Sequence, residues 1–264
     1  MTIETTYTET DLATAIERLA GRELAALTGP ELDAVDQFHG GGAEAVDRIL
    51  PTLRLGQNMT VLDVGSGLGG PARQVARSTG CSVVGVDTSR SYVDAAVALT
   101  QAAGLTPQVS FIWGDVADVG RAGFDAAYTM HVQMNVADKG AFFHAIASRL
   151  RPGARLATFE VCRSGPREPA TPLPWSLDGS DSFLATSDDL LETIQGSGFE
   201  AIEWVDQTAW VLQWFQRVAE RSADNSTTAT LPALLAHGPA RMMNFAAGLS
   251  AGVLSIHRGA FTRR

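Results

Sequence analysis

One segment, VLDVGSGLGGPAR at residues 61–73, constrains this chain more than any other. An apolar run ends at Asp63 and Val64, glycines occupy positions 65, 67, 69 and 70, and Pro71 follows directly. Glycine admits backbone conformations closed to other residues and removes side chains where another group must approach. Proline suits the first turn of a helix, where its missing N–H is not needed. The segment therefore predicts a strand, a tight turn and a helix, with backbone amides of the turn and helix start facing a ligand. A plain strand-to-helix turn is the alternative, but four glycines in six positions exceed what such a turn requires.

The surrounding pattern extends this unit into a fold. Apolar, β-branched runs at Thr60 to Val64, Ser82 to Val86, Val109 to Trp113, Phe124 to Thr129 and Arg155 to Val161 read as strands. Helical segments at Pro71 to Ser78, Ser89 to Ala103 and Asp138 to Leu150 separate several of them. Near-continuous apolar strands alternating with helices are what a parallel sheet covered on both faces needs. The class is α/β: a doubly wound, Rossmann-like, mostly parallel sheet of about seven strands. Phe199 to Val205 and Gly252 to Thr262 supply the later strands, the last one antiparallel. Before the sheet, Asp11 to Leu27 carries apolar residues at helical spacing and is expected to end at Gly29-Pro30. A short helix with Val46, Ile49 and Leu50 precedes Pro51, after a possible hinge at Gly40-Gly41-Gly42. Residues 1–55 are thus expected to form an N-terminal helical lid segment on a catalytic domain of residues 56–264. That domain would carry cover insertions around 163–186, rich in Pro, Ser and Gly, and around 209–250, with helices from Ala209 to Arg221 and Leu231 to Leu249 flanking the polar ADNSTTAT loop.

Composition narrows the partners. A formal net charge of -9 and a sequence pI near 5.0 repel phosphate polymers and anionic membranes, and no Lys/Arg block overrides that field. Neither nucleic acid nor a membrane is an expected partner, since no apolar run approaches the roughly 18 residues of a spanning helix. Cys81 and Cys162 lie in apolar strands with no CxxC or His cluster near them, and the first residues resemble neither a signal nor a transit peptide. These features suggest a cytoplasmic protein with buried thiols. None of the five histidines has metal-ligand spacing, so no metal is expected. Oligomeric state is left open.

Gly65, Gly67 and Gly70 also satisfy GxGxxG, the phosphate loop of dinucleotide sites, and Asp87 at the end of the second strand suits a ribose in either case. Three features favour another adenosine cofactor. Asp63 stands two residues before the first glycine, where it can anchor the loop or meet an ammonium. Gly114 and Asp115 follow the third strand and offer a carboxylate to an adenine amino group, with Val116 as an apolar edge. No distinct hydride-transfer domain follows the LRPG turn at residues 150–153.

At these residues the sequence resembles the class I S-adenosylmethionine-dependent methyltransferases. VLDVGSGLGG, VVGVDTS and FIWGDV match that family's first three motifs. VDQFHGGG, HVQMNVADK and GLGGPAR look like a subgroup containing dimethylglycine, sterol and gamma-tocopherol methyltransferases. The resemblance implies that Asp63, Gly65, Ser66, Gly67 and Gly69 hold the methionine part of S-adenosyl-L-methionine, Asp87 and Thr88 its ribose, and Gly114, Asp115 and Val116 its adenine. Gln37 and His39 would reach it from the lid segment, with Met130 beside it.

His131, just after the fourth strand, is the candidate general base, because an unperturbed imidazole pKa near 6.5 suits neutral pH. A ring merely packed between sheet and helix is the alternative. Gln133 and Asn135 are candidates for orienting the substrate. Trp175, Trp210, Trp214 and Phe245 are candidates for an apolar pocket wall, although aromatics at helical spacing also serve packing. The expected activity is direct methyl transfer to N, C or O of a small, partly apolar or aromatic molecule. The alternatives are a nicotinamide-dependent oxidoreductase and a non-catalytic cofactor-binding protein.

Overall fold

The strand that leads into the glycine loop, β1 (Thr60–Val64), lies in the interior of a seven-stranded sheet. The structure, a computed structural model, describes residues 12–224 and 234–264. Asp11, residues 225–230 of the polar loop and residues 231–233 of the expected late helix lie outside the described residues. After β1 come α4 (Gly70–Thr79), β2 (Ser82–Asp87), α5 (Arg90–Ala102), β3 (Val109–Trp113), β4 (Phe124–Met130), α6 (Lys139–Arg149) and β5 (Leu150–Arg163). The remainder is α7 (Ser187–Gly196), β6 (Phe199–Asp206), α8 (Thr208–Asp224), α9 (Gly238–Ser250) and β7 (Leu254–Arg263). Among the described residues, three α-helices precede the sheet: α1 (Leu12–Ala20), α2 (Gly29–Asp36) and α3 (Gly42–Leu53).

The strand order is β3-β2-β1-β4-β5-β7-β6, with β1 to β5 parallel and β7 antiparallel to both β5 and β6. The expected α/β sheet with an antiparallel last strand is therefore present. The chain winds outward from β1 to β3 and then returns to place β4 on the other side of β1. In such sheets the crevice beyond the carboxyl ends of the strands, at this reversal, is where ligands bind.

Alternation along the strands sorts the core. Val61, Tyr128, Phe159 and Ile256 face the layer that contains α3, α4 and α9. Leu62, Val64, Phe124, Leu156 and Phe199 face the layer of α6 and α7. A third cluster joins Leu12, Ile16, Leu32 and Val35 of the N-terminal helices to Leu68 and to Tyr92, Ala95 and Leu99 of α5.

Several boundaries differ from those read in the sequence. Gly29-Pro30 does not end the N-terminal helical region but opens α2. Thr28 is its N-cap, and Glu31 accepts hydrogen bonds from the Thr28 amide and hydroxyl at 2.8 Å each. The signal T-x-x-E was present in the sequence and outweighs the breaker reading of Gly-Pro, because proline at the first turn starts a helix. Pro51 lies inside α3 near its end, and β5 begins directly after α6, well before Arg155.

A buried ion pair fastens α2 to the sheet domain. The Arg73 guanidinium on α4 meets Asp36 Oδ2 at 2.6 Å, with both side chains 1% exposed. Arg73 also donates to the Leu68 carbonyl and to Thr100 Oγ1, at 2.7 and 2.9 Å. Gly70 permits this approach, since a Cβ there would lie 2.5 Å from the Asp36 carbonyl oxygen. Removing one member leaves a charge buried without its partner, which costs about 3–5 kcal/mol. Asp36→Ala should lower unfolding stability by about that amount in urea titrations. Arg90→Ala, which breaks the exposed Arg90–Asp94 pair, should cost less than about 1 kcal/mol. Equal, small effects would refute the tethering role of Asp36.

Candidate active site

Gly65 turns the chain at φ +75°, and any Cβ there would overlap the side chain of Val132 in the turn after β4. The first glycine is thus the contact that lets the β1 and β4 loops close on one another. The amides of this loop, expected to face a ligand, are largely engaged by the protein. Gly65 and Ser66 donate to the Val86 carbonyl, Gly69 donates to the Ser66 carbonyl, and Gly67 donates to Asp87 Oδ2 at 2.8 Å. A dinucleotide pyrophosphate is held by such amides. Here the loop offers shape and carboxylates instead.

Asp87 accepts from the Gly67 and Ser89 amides, one on each oxygen, both at 2.8 Å. Burial pushes its carboxyl pKa up, and those two amides oppose the rise. Asp63 is buried on the same side of β1 as Val61, and its Oδ2 has no hydrogen-bond partner among the described residues. Burial, reinforced by the charge of Asp87, pushes it up to about 7, against Tyr128 and Arg73, which favour the ionised form. Asp115, just after β3, is exposed, and its Oδ1 accepts from the Ala117 amide at 2.8 Å.

A cleft of about 1520 Å³ opens at this edge of the sheet. Drug-sized ligands occupy pockets of about 300–1,000 Å³, so this volume suits more than one small molecule. Gly65, Gly67, Asp87 and Thr88 line one part, and Gly114, Asp115 and Val116 continue it. Gln37 and His39 enter from the segment after α2, while Met130, His131 and Asn135 come from the end of β4 and the turn beyond. Trp175, Trp214 and Phe245 form the far wall. A side recess of about 30 Å³ adds Asp63 and Ser66, with His39, Gly65 and Met130 shared between the two spaces.

Three expected site residues lie elsewhere. Gly69 caps α4 at φ +77° and packs against Phe111 rather than lining the cleft. Gln133 is fully buried, and its side-chain amide donates to the Val161 carbonyl, so it braces β5 instead of orienting a ligand. Trp210 packs edge-on to Phe159 under the Arg48 guanidinium, 4.0 Å from its ring centroid, and lines no part of the cleft. It also accounts for part of the glycine triplet, because a Cβ on Gly41 would lie 2.6 Å from that indole.

His131 adopts φ +55°, a left-handed conformation that costs a non-glycine residue of order 1–3 kcal/mol. Its amide donates to the Phe159 carbonyl at 2.8 Å, its ring stacks on Phe159, and its Nε2 is buried with no partner among the described residues. Burial, with His39 facing it, holds its pKa well below the ordinary imidazole value. The expected titration near neutrality is therefore corrected: desolvation makes this imidazole neutral and weakly basic. His39 lies 6.1 Å away between ring centroids, and burial pushes it down to about 4.

Sequence reasoning missed the residue that holds this turn. Glu160 on β5 accepts from Thr129 Oγ1 at 3.1 Å and from the Val132 and Gln133 amides at 2.9 and 3.2 Å. Burial pushes it up to about 7, opposed by those donors. Its only signal was a carboxylate inside the apolar run LATFEV. Phe215 was also missed as a cleft-lining residue, whereas Met242, in the Met242-Met243-Phe245 segment read from the sequence as a candidate pocket wall, does line the cleft.

The buried, unpartnered Asp63 Oδ2 and Ser66 Oγ fit an amino-acid ammonium and carboxylate, and Gly67 has open space where a side chain would stand. The residues present thus fit the methionine end of S-adenosyl-L-methionine. Among the described residues no cluster of three His, Cys, Asp or Glu could hold a metal ion, and no helix is long and apolar enough to cross a membrane.

Residues 61–153 match the model of a family described as a methyltransferase domain. The chain is 30% identical over 153 residues to the O-methyltransferase resE of Aspergillus sclerotiorum, covering 55% of this chain and 56% of that protein. It spans about half the length of several curated relatives that it matches. Its fold is similar to geranyl diphosphate C-methyltransferase of Streptomyces coelicolor, with TM-score 0.66 and 17% identity over 83% of this chain and 78% of that one. It is also similar to phosphoethanolamine N-methyltransferase 2 of Haemonchus contortus, with TM-score 0.73 and 18% identity over 95% of this chain and 56% of that one. Residues 61–153 thus match a methyltransferase domain, and the chain is similar over about half its length to a curated small-molecule O-methyltransferase.

Proposed function

We propose that the protein uses S-adenosyl-L-methionine to methylate a small, partly apolar molecule at N, C or O. The observation that carries this reading is one cleft bordered by Asp63, Asp87 and Asp115 on one side and by aromatic side chains on the other. When bound, the cofactor supplies a methyl carbon made electrophilic by its sulfonium. Asp63 and Ser66, with Gly65 and Gly67, would hold its amino-acid end, Asp87 and Thr88 its ribose, and Gly114, Asp115 and Val116 its adenine. Met130, Gln37 and His39 would close over it.

Methyl transfer asks little covalent chemistry of the protein, so alignment and water exclusion carry much of the rate. The segment around Gln37 and His39 and the cover segments bearing Trp175, Trp214 and Phe245 would shield the cleft as lids. His131 accepts a proton at neutral pH because it is unprotonated there. A strong base is not required for an oxygen acceptor, whose proton becomes far more acidic as the new bond forms. Glu160 holds the His131 turn through three hydrogen bonds and so acts by positioning.

Two outcomes test this reading. Asp63 must be ionised to meet an ammonium, and a pKa of about 7 leaves it mostly protonated at pH 6. Affinity for S-adenosylhomocysteine, measured by calorimetry, should therefore rise roughly tenfold from pH 6 to pH 8. Asp63→Asn should remove most of that pH dependence. Absence of binding at either pH would overturn the cofactor assignment. For the second test, His131→Ala should lower turnover by about 100-fold or more while leaving cofactor affinity within a few-fold. Unchanged turnover would remove His131 from the mechanism.

A further inference from the structure

The part of the cleft beyond the carboxylates is apolar and continuous. Trp214 packs on Phe215 at 5.1 Å between ring centroids, Phe215 on Phe245 at 5.8 Å, and Phe245 on both Trp175 and His131 at 5.7 and 6.0 Å. The wall thus runs from the lip of the cleft down to the His131 imidazole. Trp175 directs its Nε1–H away to Ser182 Oγ at 2.9 Å, so its ring offers the cleft a hydrophobic face. This geometry suits an extended hydrocarbon or aromatic body rather than a compact polar one.

At the inner end, two imidazole nitrogens, His131 Nε2 and His39 Nδ1, are buried without a hydrogen-bond partner among the described residues. His39 is steadied through Nε2, which lies 3.0 Å from Gln37 Oε1, and Gln37 in turn donates to Gln74. Among the described residues, the charged side chains lining the aromatic half are Glu44, Asp138 and Arg221, all exposed at its outer edge. Glu44 is already paired with Arg217 at 2.8 Å. Arg241, buried behind the wall, donates to the Pro174 carbonyl at 3.0 Å.

A phosphate or carboxylate brought to the two histidines would find no buried cation lining the pocket, and an ammonium would find no buried carboxylate on this half, where Glu44 and Asp138 are exposed. Either charge would lose its hydration without compensation. A hydroxyl is different, because it donates and accepts and can therefore satisfy a neutral imidazole nitrogen in either tautomer. We propose that the acceptor subsite takes an uncharged, extended, largely apolar molecule that presents a hydroxyl to His131 and His39, an inference that rests on the methyltransferase reading. It sets this chain apart from the geranyl diphosphate and phosphoethanolamine enzymes whose fold it shares, since the names of both carry a phosphate group.

The test holds one apolar body constant and changes its head group. Binding of 4-hexylphenol, 4-hexylphenyl phosphate and 4-hexylbenzylamine is measured by calorimetry on the full chain, loaded with S-adenosylhomocysteine and unloaded. The phenol should bind at least about tenfold more tightly than either charged analogue. His131→Phe should weaken the phenol about tenfold and leave hexylbenzene unchanged. His131→Gln, which retains hydrogen-bonding capacity, should recover part of the loss. Tighter binding of the phosphate or the amine, or no binding of the phenol, overturns the proposal. Failure of S-adenosylhomocysteine to bind overturns the cofactor reading instead, and the panel on the unloaded protein still decides the head group.

Discussion

Val132 packs into the space that a side chain on residue 65 would fill, and the site is organised around that contact. It brings the turn after β4 against the glycine loop after β1, at the point where the strand order reverses. Glu160 fixes one side of the contact by accepting the Val132 and Gln133 amides, and Val86 fixes the other by accepting those of Gly65 and Ser66. Between these anchors His131 is held in a left-handed turn with its ring facing the cleft. The strain in that turn is small beside the hydrogen bonds and packing that maintain it.

Desolvation gives the centre its chemical character. Asp63 and Glu160 are pushed up to about 7, His39 down to about 4, and His131 well below its ordinary value, all with burial as the leading cause. Burial thus disfavours the charged forms of these groups, and a cationic cofactor would supply the missing countercharge for Asp63. Arg73, the nearest buried cation to the glycine loop, is paired with Asp36 and serves the N-terminal segment rather than the cleft. The overall acidity of the chain therefore says less about ligand choice than the placement of a few carboxylates does.

The fold was legible because the sheet's strands are short, apolar and separated by helices, a pattern that survives any tertiary rearrangement. The placement of Asp63, Asp87 and Asp115 at one edge of the sheet was legible because each sits at or just after the end of a strand that its local sequence announces. Gln133 and Trp210 were misplaced because direction within a turn or around a helix is decided by distant partners, here Val161 and Phe159. Glu160 was missed because its three donors lie about thirty residues upstream, and sequence spacing carries no record of such a contact. The α2 helix was missed although Thr28 and Glu31 announced it, because Gly29-Pro30 was read as an end rather than a start.

The central claim is that one cleft holds an S-adenosyl cofactor on its carboxylate side and leaves its aromatic side free for the acceptor. A crystal structure with S-adenosylhomocysteine tests it most directly. The account predicts the amino group against Asp63, the ribose hydroxyls against Asp87, the adenine beside Asp115 and Val116, and the sulfur turned toward His131 with the space bounded by Trp175, Trp214 and Phe245 still open. A ribose placed away from Asp87, or a cofactor lying along the aromatic wall, would contradict it.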